Sequence, residues 1–160
     1  MKTVLVVDGN YRCDMAEFMD VINEWVEFTE QQIDDTLQTI VMKVGETIVR
    51  LSPVDTGLFK GNWQLSIDST TSSSLTRTDP DGNATLADMA SKVNSFTAGQ
   101  IAYIQNHVLY GYDLEYGTYN GPTEKVTDEG FSRQAPEGML RITEARFTRI
   151  VNEAIALHRN

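Results

Sequence analysis

Residues 52–64 read Ser-Pro-Val-Asp-Thr-Gly-Leu-Phe-Lys-Gly-Asn-Trp-Gln, and this stretch separates a long helical pattern from the first strand pattern. Proline disfavours helical geometry at the residue before it, so Pro53 predicts the end of the preceding helix. Proline fixes one φ angle and Gly57 permits a positive one, and Asp55 between them can accept hydrogen bonds from backbone N–H groups two residues on. We interpret residues 53–57 as a rigid corner that leads from a helix into a sheet.

Upstream of the corner, apolar residues recur every three or four positions from residue 14 to residue 51, which predicts one long amphipathic helix. Asp14 fits the N-cap of this helix, with Glu17 three residues on as in a capping box. A break near Glu30 or Gly45 is left open. A helix of this length cannot be covered by one small domain, so we expect part of it to pack against a neighbouring molecule.

The first 13 residues form a separate N-terminal arm in this interpretation. Residues 1–7 include alternating polar and apolar positions and several β-branched side chains, which is typical of a short strand. Asp8-Gly9-Asn10 then interrupts this pattern. The arm either pairs with another segment or forms a disordered end. Residues 14–160 then make up a single domain, which is long enough to bury a core.

Downstream of the corner, short strands, short helices and polar loops alternate. The strand patterns cover residues 59–68 and 99–108, the helical patterns residues 84–93 and 110–116, and the loop patterns residues 70–83 and 118–134. A last helix is expected to open at Ala135-Pro136-Glu137, because proline suits a first turn and Glu137 suits the positive end of the helix dipole. The predicted fold is α+β, with a long N-terminal helix, a small mainly antiparallel sheet with exposed loops, and a C-terminal helix.

Composition indicates a soluble globular chain, with 41% hydrophobic residues and a net charge of −10. Acidic charge without a basic patch disfavours binding to a phosphate backbone. Such charge is compatible with a surface that DNA passes without binding, and also with a charge that only keeps the protein soluble. No apolar run could cross a bilayer and no signal-peptide pattern opens the chain, so we expect no membrane contact and assembly in a cytoplasm. The lone Cys13 cannot form an internal disulfide.

No catalytic, phosphate-binding or metal-binding pattern occurs in the sequence, so we expect neither an enzyme nor a bound cofactor or metal. Asp113 and Glu115 could form the acid/base pair of a small hydrolase. We favour instead an Asp113 that faces solvent and a Glu115 that caps or brackets a turn. His107 is expected at a surface or interface, and His158 at a helix end.

Four blocks of sequence carry a resemblance to a known family. They are residues 52–64, Tyr103-Ile104-Gln105-Asn106, Tyr110 followed by Leu114-Glu115-Tyr116-Gly117-Thr118, and residues 132–141, Ser-Arg-Gln-Ala-Pro-Glu-Gly-Met-Leu-Arg. In this order and spacing they resemble the HK97 gp10-like family of bacteriophage neck and tail-completion proteins, over about residues 15–157. Two features depart from the family pattern, a Tyr-Gly pair at residues 110–111 and a long connection at residues 119–131.

The resemblance implies a structural protein of the virion, assembled in the host cytoplasm, that forms a ring at the head–tail junction. Such a ring lies between the portal-bound connector and the tail tube or tail terminator, and DNA passes through its channel. A hexamer is favoured, with a dodecamer as the alternative. The family has no catalytic residues, so its motif positions are expected to determine the fold or the interfaces. Those positions are Pro53, Asp55, Thr56, Gly57, Trp63, Asn106, Tyr110, Glu115, Tyr116, Gly117, Gln134, Pro136 and Gly138.

A ring uses a heterologous interface, in which one face of each subunit meets a different face of the next. The long N-terminal helix and the loop at residues 118–134 are our candidates for these faces. Phe18, Trp25 and Phe131 are candidate anchors, because aromatic residues concentrate in interface hot spots, although core packing would explain each equally well. A tail-terminator ring and a soluble acidic adaptor that binds host proteins are the alternative functions, beside the small hydrolase.

Overall fold

The computed structural model describes residues 15–118 and 122–159. The chain divides into two compact units, Met1–Ile33 and Asp34–Asn160. The predicted arm at residues 1–13 and the predicted N-cap at Asp14 lie outside the described residues.

The first helix, α1, covers Met15–Leu51 without interruption, as the apolar spacing predicts, so neither Glu30 nor Gly45 breaks it. In the first unit its large apolar side chains are exposed by between 37% and 56%; these are Met19, Ile22, Val26, Phe28 and Ile33. The side chains of the candidate anchors Phe18 and Trp25 lie outside what the structure describes.

The second unit holds the end of α1 and the remaining elements. They are α2 (Leu58–Gly61), β1 (Gln64–Ile67), α3 (Asn83–Val93), β2 (Ala102–Gln105), α4 (Gly111–Tyr116), a 3₁₀ turn (Thr123–Lys125) and α5 (Leu140–His158). Strands β1 and β2 pair antiparallel, with Gln64 opposite Gln105. The predicted α+β fold is therefore confirmed, with its long first helix, its small antiparallel sheet and its C-terminal helix.

Three element boundaries differ from the prediction. The strand predicted at residues 99–108 is confined to β2, Ala102–Gln105. Residues 58–61 form helix α2 rather than the start of a strand, because Gly57 at φ +87° turns the chain and its carbonyl accepts a hydrogen bond from Gly61 N–H at 2.8 Å. Helix α5 begins at Leu140 rather than at Ala135, because Gly138 has φ +79°, which an α-helix cannot contain.

The core of the second unit gathers around Trp63. Its ring packs edge-to-face on Phe59, with centroids 5.8 Å apart, and Leu65 of β1 lies beside it in the same buried cluster. The indole Nε1–H donates to Ser52 Oγ at 2.8 Å, and that hydroxyl donates in turn to the Ile48 carbonyl at 2.8 Å. The motif residue Trp63 thus joins the end of α1 to the sheet, which is a structural role.

Several hydrogen bonds hold the loop at residues 70–83 against the rest of the second unit. Asn62 exchanges two hydrogen bonds with the backbone of Leu75, at 2.8 and 2.7 Å. Asp79 is buried and accepts hydrogen bonds from both the N–H and the hydroxyl of Thr85, each at 2.7 Å. Burial acts to raise the pKa of Asp79, but the hydrogen bonds outweigh it and hold that pKa below its usual value. The loop is therefore more ordered than its polar composition predicts.

Candidate functional site

The corner at residues 53–57 is fastened by a side chain from the fourth motif block. Gln134 Oε1 accepts a hydrogen bond from Val54 N–H at 2.8 Å, and Gln134 Nε2 donates to the Val54 carbonyl at 2.8 Å. A primary amide can satisfy both backbone groups of one residue in this way, as a neighbouring strand would. Gln134 and Val54 therefore join segments that lie 80 residues apart in the chain.

Asp55 does not have the backbone-bonding role that the sequence predicts. Its side chain is 79% exposed, and its carboxylate lies 3.3 Å from Lys125 Nζ. The corner uses Thr56 instead, whose hydroxyl accepts a hydrogen bond from Leu58 N–H at 3.3 Å. Threonine can form such turns as aspartate does, and an exposed ion pair contributes little to stability.

Glu115 caps helix α5 from outside that helix. Its side chain is 3% exposed, and its carboxylate accepts hydrogen bonds from the N–H groups of Met139, Leu140 and Arg141 at 2.7, 2.9 and 3.1 Å. The Arg141 guanidinium donates to the Glu115 carbonyl at 2.7 Å. The negative charge sits at the positive end of the helix dipole and satisfies N–H groups that have no partner within the helix.

This cap corrects the predicted start of the last helix. Pro136 and Glu137 are exposed and precede α5, so neither occupies its first turn. The carboxylate of Glu115 takes the place that local reasoning gave to Glu137. Gly138 allows the approach, because a Cβ there would lie 2.7 Å from Glu115 Oε1 and 2.8 Å from the Glu115 carbonyl oxygen.

The end of α4 packs against the candidate anchor Phe131. Gly117 has φ +79°, and a Cβ there would lie 2.6 Å from the Phe131 ring. The Arg141 guanidinium lies 5.4 Å from the centre of that ring and 5.6 Å from the centre of the Tyr116 ring. Phe131 is half-buried in these contacts, so packing within its own chain accounts for it without a partner.

Asn106 and Tyr110 connect the remaining motif blocks to α2. Asn106 Nδ2 donates to the Phe59 carbonyl at 2.8 Å, and Asn106 Oδ1 accepts from Val108 N–H at 3.1 Å. The Tyr110 ring lies 6.0 Å from the Phe59 ring. These bonds and the contacts of Gln134 and Glu115 link motif residues of all four blocks. We call this set of contacts the motif network.

A cleft of about 520 Å³ opens beside the motif network. It is lined by residues 53–59, Tyr110, Leu114, Glu124, Lys125 and residues 132–134. Glu115 does not line it, and the carboxylate of Asp113 accepts a hydrogen bond from the Thr118 hydroxyl. The structure therefore does not place Asp113 and Glu115 together in the cleft as an acid/base pair.

The two histidines each contact a threonine hydroxyl. His107 Nε2 lies 2.8 Å from Thr71 Oγ1, and His158 Nε2 lies 2.8 Å from Thr39 Oγ1. Within residues 15–118 and 122–159, no three His, Cys, Asp or Glu side chains are grouped so that they could hold a metal ion. None of the described helices is long and apolar enough to cross a membrane.

The surface near α4 and α5 also exposes large apolar side chains. Leu109, just before α4, is 98% exposed. The others are Tyr110, Tyr112, Tyr116, Leu140, Phe147, Ile155 and Leu157. Contiguous exposed apolar surface marks contact sites more often than isolated exposed residues do.

No known protein family, no curated protein and no solved structure matches this chain. The family resemblance therefore stays a prediction that rests on the four motif blocks.

The two hydrogen bonds between Gln134 and Val54, which we call the Gln134 clamp, can be tested by substitution. Replacing Gln134 by alanine is expected to lower the free energy of unfolding by about 1–2 kcal/mol, because two hydrogen bonds to Val54 are lost. Urea denaturation followed by circular dichroism measures the loss. Gln134→Glu keeps the acceptor and lacks the donor, so it should retain only the bond from Val54 N–H. Equal stability of the wild-type chain and the alanine variant would show that the clamp contributes nothing.

Proposed function

We propose that this chain is a structural protein of a tailed-phage virion and forms a homo-oligomeric ring at the head–tail junction. The observation that carries the proposal is the placement of the motif residues. Gln134, Glu115 and Asn106 come from three different blocks, and each bonds to backbone groups of a distant segment. A motif that specifies a fold, and not a reaction, is what a structural family would share.

The exposed surface of the first unit supports an assembled state. Apolar side chains on residues 19–33 are exposed on a helix that carries no lysine or arginine there. Large apolar groups that are exposed in a row usually meet a partner. In the proposed ring the partners are further copies of the chain, in a hexamer rather than a dodecamer. The connector lies on the head side and the tail tube or terminator on the other.

The net charge of −10 suits the proposed passage of DNA. Neutralising a phosphate backbone requires clustered lysine and arginine, and an acidic channel wall would repel DNA instead of holding it. The channel therefore needs no specific contact with the DNA that crosses it.

Antibody labelling of purified particles tests the proposal. Gold-labelled antibody against this chain is expected at the head–tail junction, and a phage that lacks the chain should yield separate filled heads and tails that join after the protein is added. Label on the end of headless tails would favour the tail-terminator alternative. A protein absent from particles and recovered with host proteins would favour the adaptor alternative and overturn the ring.

A further inference from the structure

The outer edge of strand β2 has free backbone donors and acceptors. Asp68 N–H donates to the Ile101 carbonyl at 2.8 Å, directly beyond the last pair of the β1–β2 ladder. Bonded and non-bonded pairs alternate in an antiparallel ladder, so the N–H and C=O groups of Ala102 and Ile104 point away from β1. Within the described residues, no hydrogen bond reaches these backbone groups. A further strand could bind them, as at any open sheet edge.

The sequence of this edge does nothing to oppose the addition of a strand. Residues 98–109 carry no charged side chain, although 22% of the chain is charged, and they contain no proline. Ile101, where the edge begins, is 57% exposed. Proteins usually protect a free edge with lysine, with proline or with a bulge. An edge without such protection is typical of one that pairs with another strand.

The N-terminal arm contains a segment that fits this edge. Residues 3–7 read Thr-Val-Leu-Val-Val, which favours a strand because four of the five side chains are β-branched. They carry neither a charge nor a proline, and they match the four-residue strand β2 in length. Main-chain hydrogen bonds give an added strand its affinity. The same chain therefore supplies both an open edge and a strand pattern outside the described sheet.

The length of α1 assigns the arm and the edge to different copies. Val7 and Met15 are eight residues apart, so the chain between them spans at most about 29 Å. A Cβ at Gly45 would lie 3.7 Å from Ile104 Cδ1, so α1 passes β2 at Gly45. Thirty residues of the uninterrupted helix lead from Met15 to Gly45, about 45 Å at 1.5 Å per residue. The arm is therefore too short to pair with β2 of its own chain.

We propose that residues 3–7 of one copy add a third strand to the sheet of a neighbouring copy, along the outer edge of β2. The contact is heterologous, because the arm and the edge are different surfaces, and its repetition about an axis closes a ring. Pairing of two β2 edges would instead be isologous and would end at a dimer. The inference rests on the proposed function and names one contact that joins the subunits of the ring.

Hydrogen exchange resolved to single amides tests the contact between two full-length chains. The first chain is isotopically labelled and carries Leu5→Pro, which removes an N–H from the arm and disfavours strand pairing. The second is the unlabelled wild type. After mixing, we expect the amides of Ala102 and Ile104 in the labelled chain to exchange about tenfold more slowly than before. The Tyr103 amide already faces β1, so it is the internal control and should not change.

Two unlabelled variants serve as matched controls for the added chain. Unlabelled Leu5→Pro should give no protection, whereas Asn10→Pro lies outside residues 3–7 and should protect as the wild type does. Unchanged exchange at Ala102 and Ile104 after addition of the wild type would overturn the proposal. Equal protection by Leu5→Pro would also overturn it, because something other than the arm then covers the edge.

The contact and the neck assignment can fail separately. Label at the head–tail junction without protection at β2 would overturn the contact and leave the proposed function standing with another interface. Protection at β2 in a protein that is absent from particles would support the contact and overturn the neck ring.

Discussion

Glu115→Ala is expected to lower the free energy of unfolding by about 3 kcal/mol or more, since removing one member of a buried charged network typically costs 3–5 kcal/mol. The substitution takes away the acceptor of three N–H groups at the start of α5. It also leaves the Arg141 guanidinium without the carboxylate that lies 3.5 Å away. Urea denaturation followed by the circular dichroism of the helices measures the change.

Glu137→Ala is the matched control for this prediction. Glu137 is exposed and lies just before the same helix, in the place where local sequence reasoning puts the favourable charge. Its removal should change stability by about 0.5 kcal/mol or less, as is usual for surface substitutions. Glu115→Gln should lose an amount of stability between those of the two alanine variants. Its amide oxygen still accepts a hydrogen bond, whereas its NH₂ group cannot accept one from the N–H groups of the helix. Similar losses for Glu115→Ala and Glu137→Ala would contradict the cap described above.

Gly57→Ala is the second substitution with a large expected effect, a loss of about 3 kcal/mol from a disfavoured backbone conformation and a steric overlap together. Gly57 has φ +87°, and a Cβ there would lie 2.5 Å from the backbone nitrogen of Pro80 and 2.7 Å from its Cδ. Neither atom can move away by rotating a side chain, because both belong to the proline ring.

Gly99→Ala is the control that measures the backbone part of that loss alone. Gly99 has φ +91°, and a Cβ there would meet no atom within 4 Å. The backbone conformation alone should then cost about 1–2 kcal/mol. Thermal or urea unfolding of both variants gives the difference, which we assign to the contact with Pro80. If the two alanine variants lose the same stability, the corner is less tightly packed than the structure indicates.

Features that depend on neighbouring residues were predictable from the sequence. Pro53 acts on the residue before it, so the end of α1 at Leu51 follows from the local rule. The exposed apolar side chains of residues 19–33 also follow from length, because one small domain cannot cover so long a helix. Helix α2 was not predictable in this way, since Phe59 and Trp63 are four residues apart and that spacing fits both a helix and an alternating strand.

Features that depend on distant residues could not be predicted. The cap of α5 comes from Glu115, 24 residues before the N–H of Met139, and no periodic pattern indicates such a contact. The prediction instead used Glu137, which has the right charge at the right sequence distance. The resemblance placed Gln134 among the positions expected to determine the fold or the interfaces, but its partner Val54 could not be predicted, because a glutamine in a polar loop carries no signal for the segment it binds.

The Gln134 clamp has a consequence for how the chain is made. Val54 and Gln134 are 80 residues apart, so a ribosome adding about 5–20 residues per second needs on the order of ten seconds to deliver the second after the first. While the sheet is being synthesised, the corner therefore lacks the two hydrogen bonds that Gln134 provides.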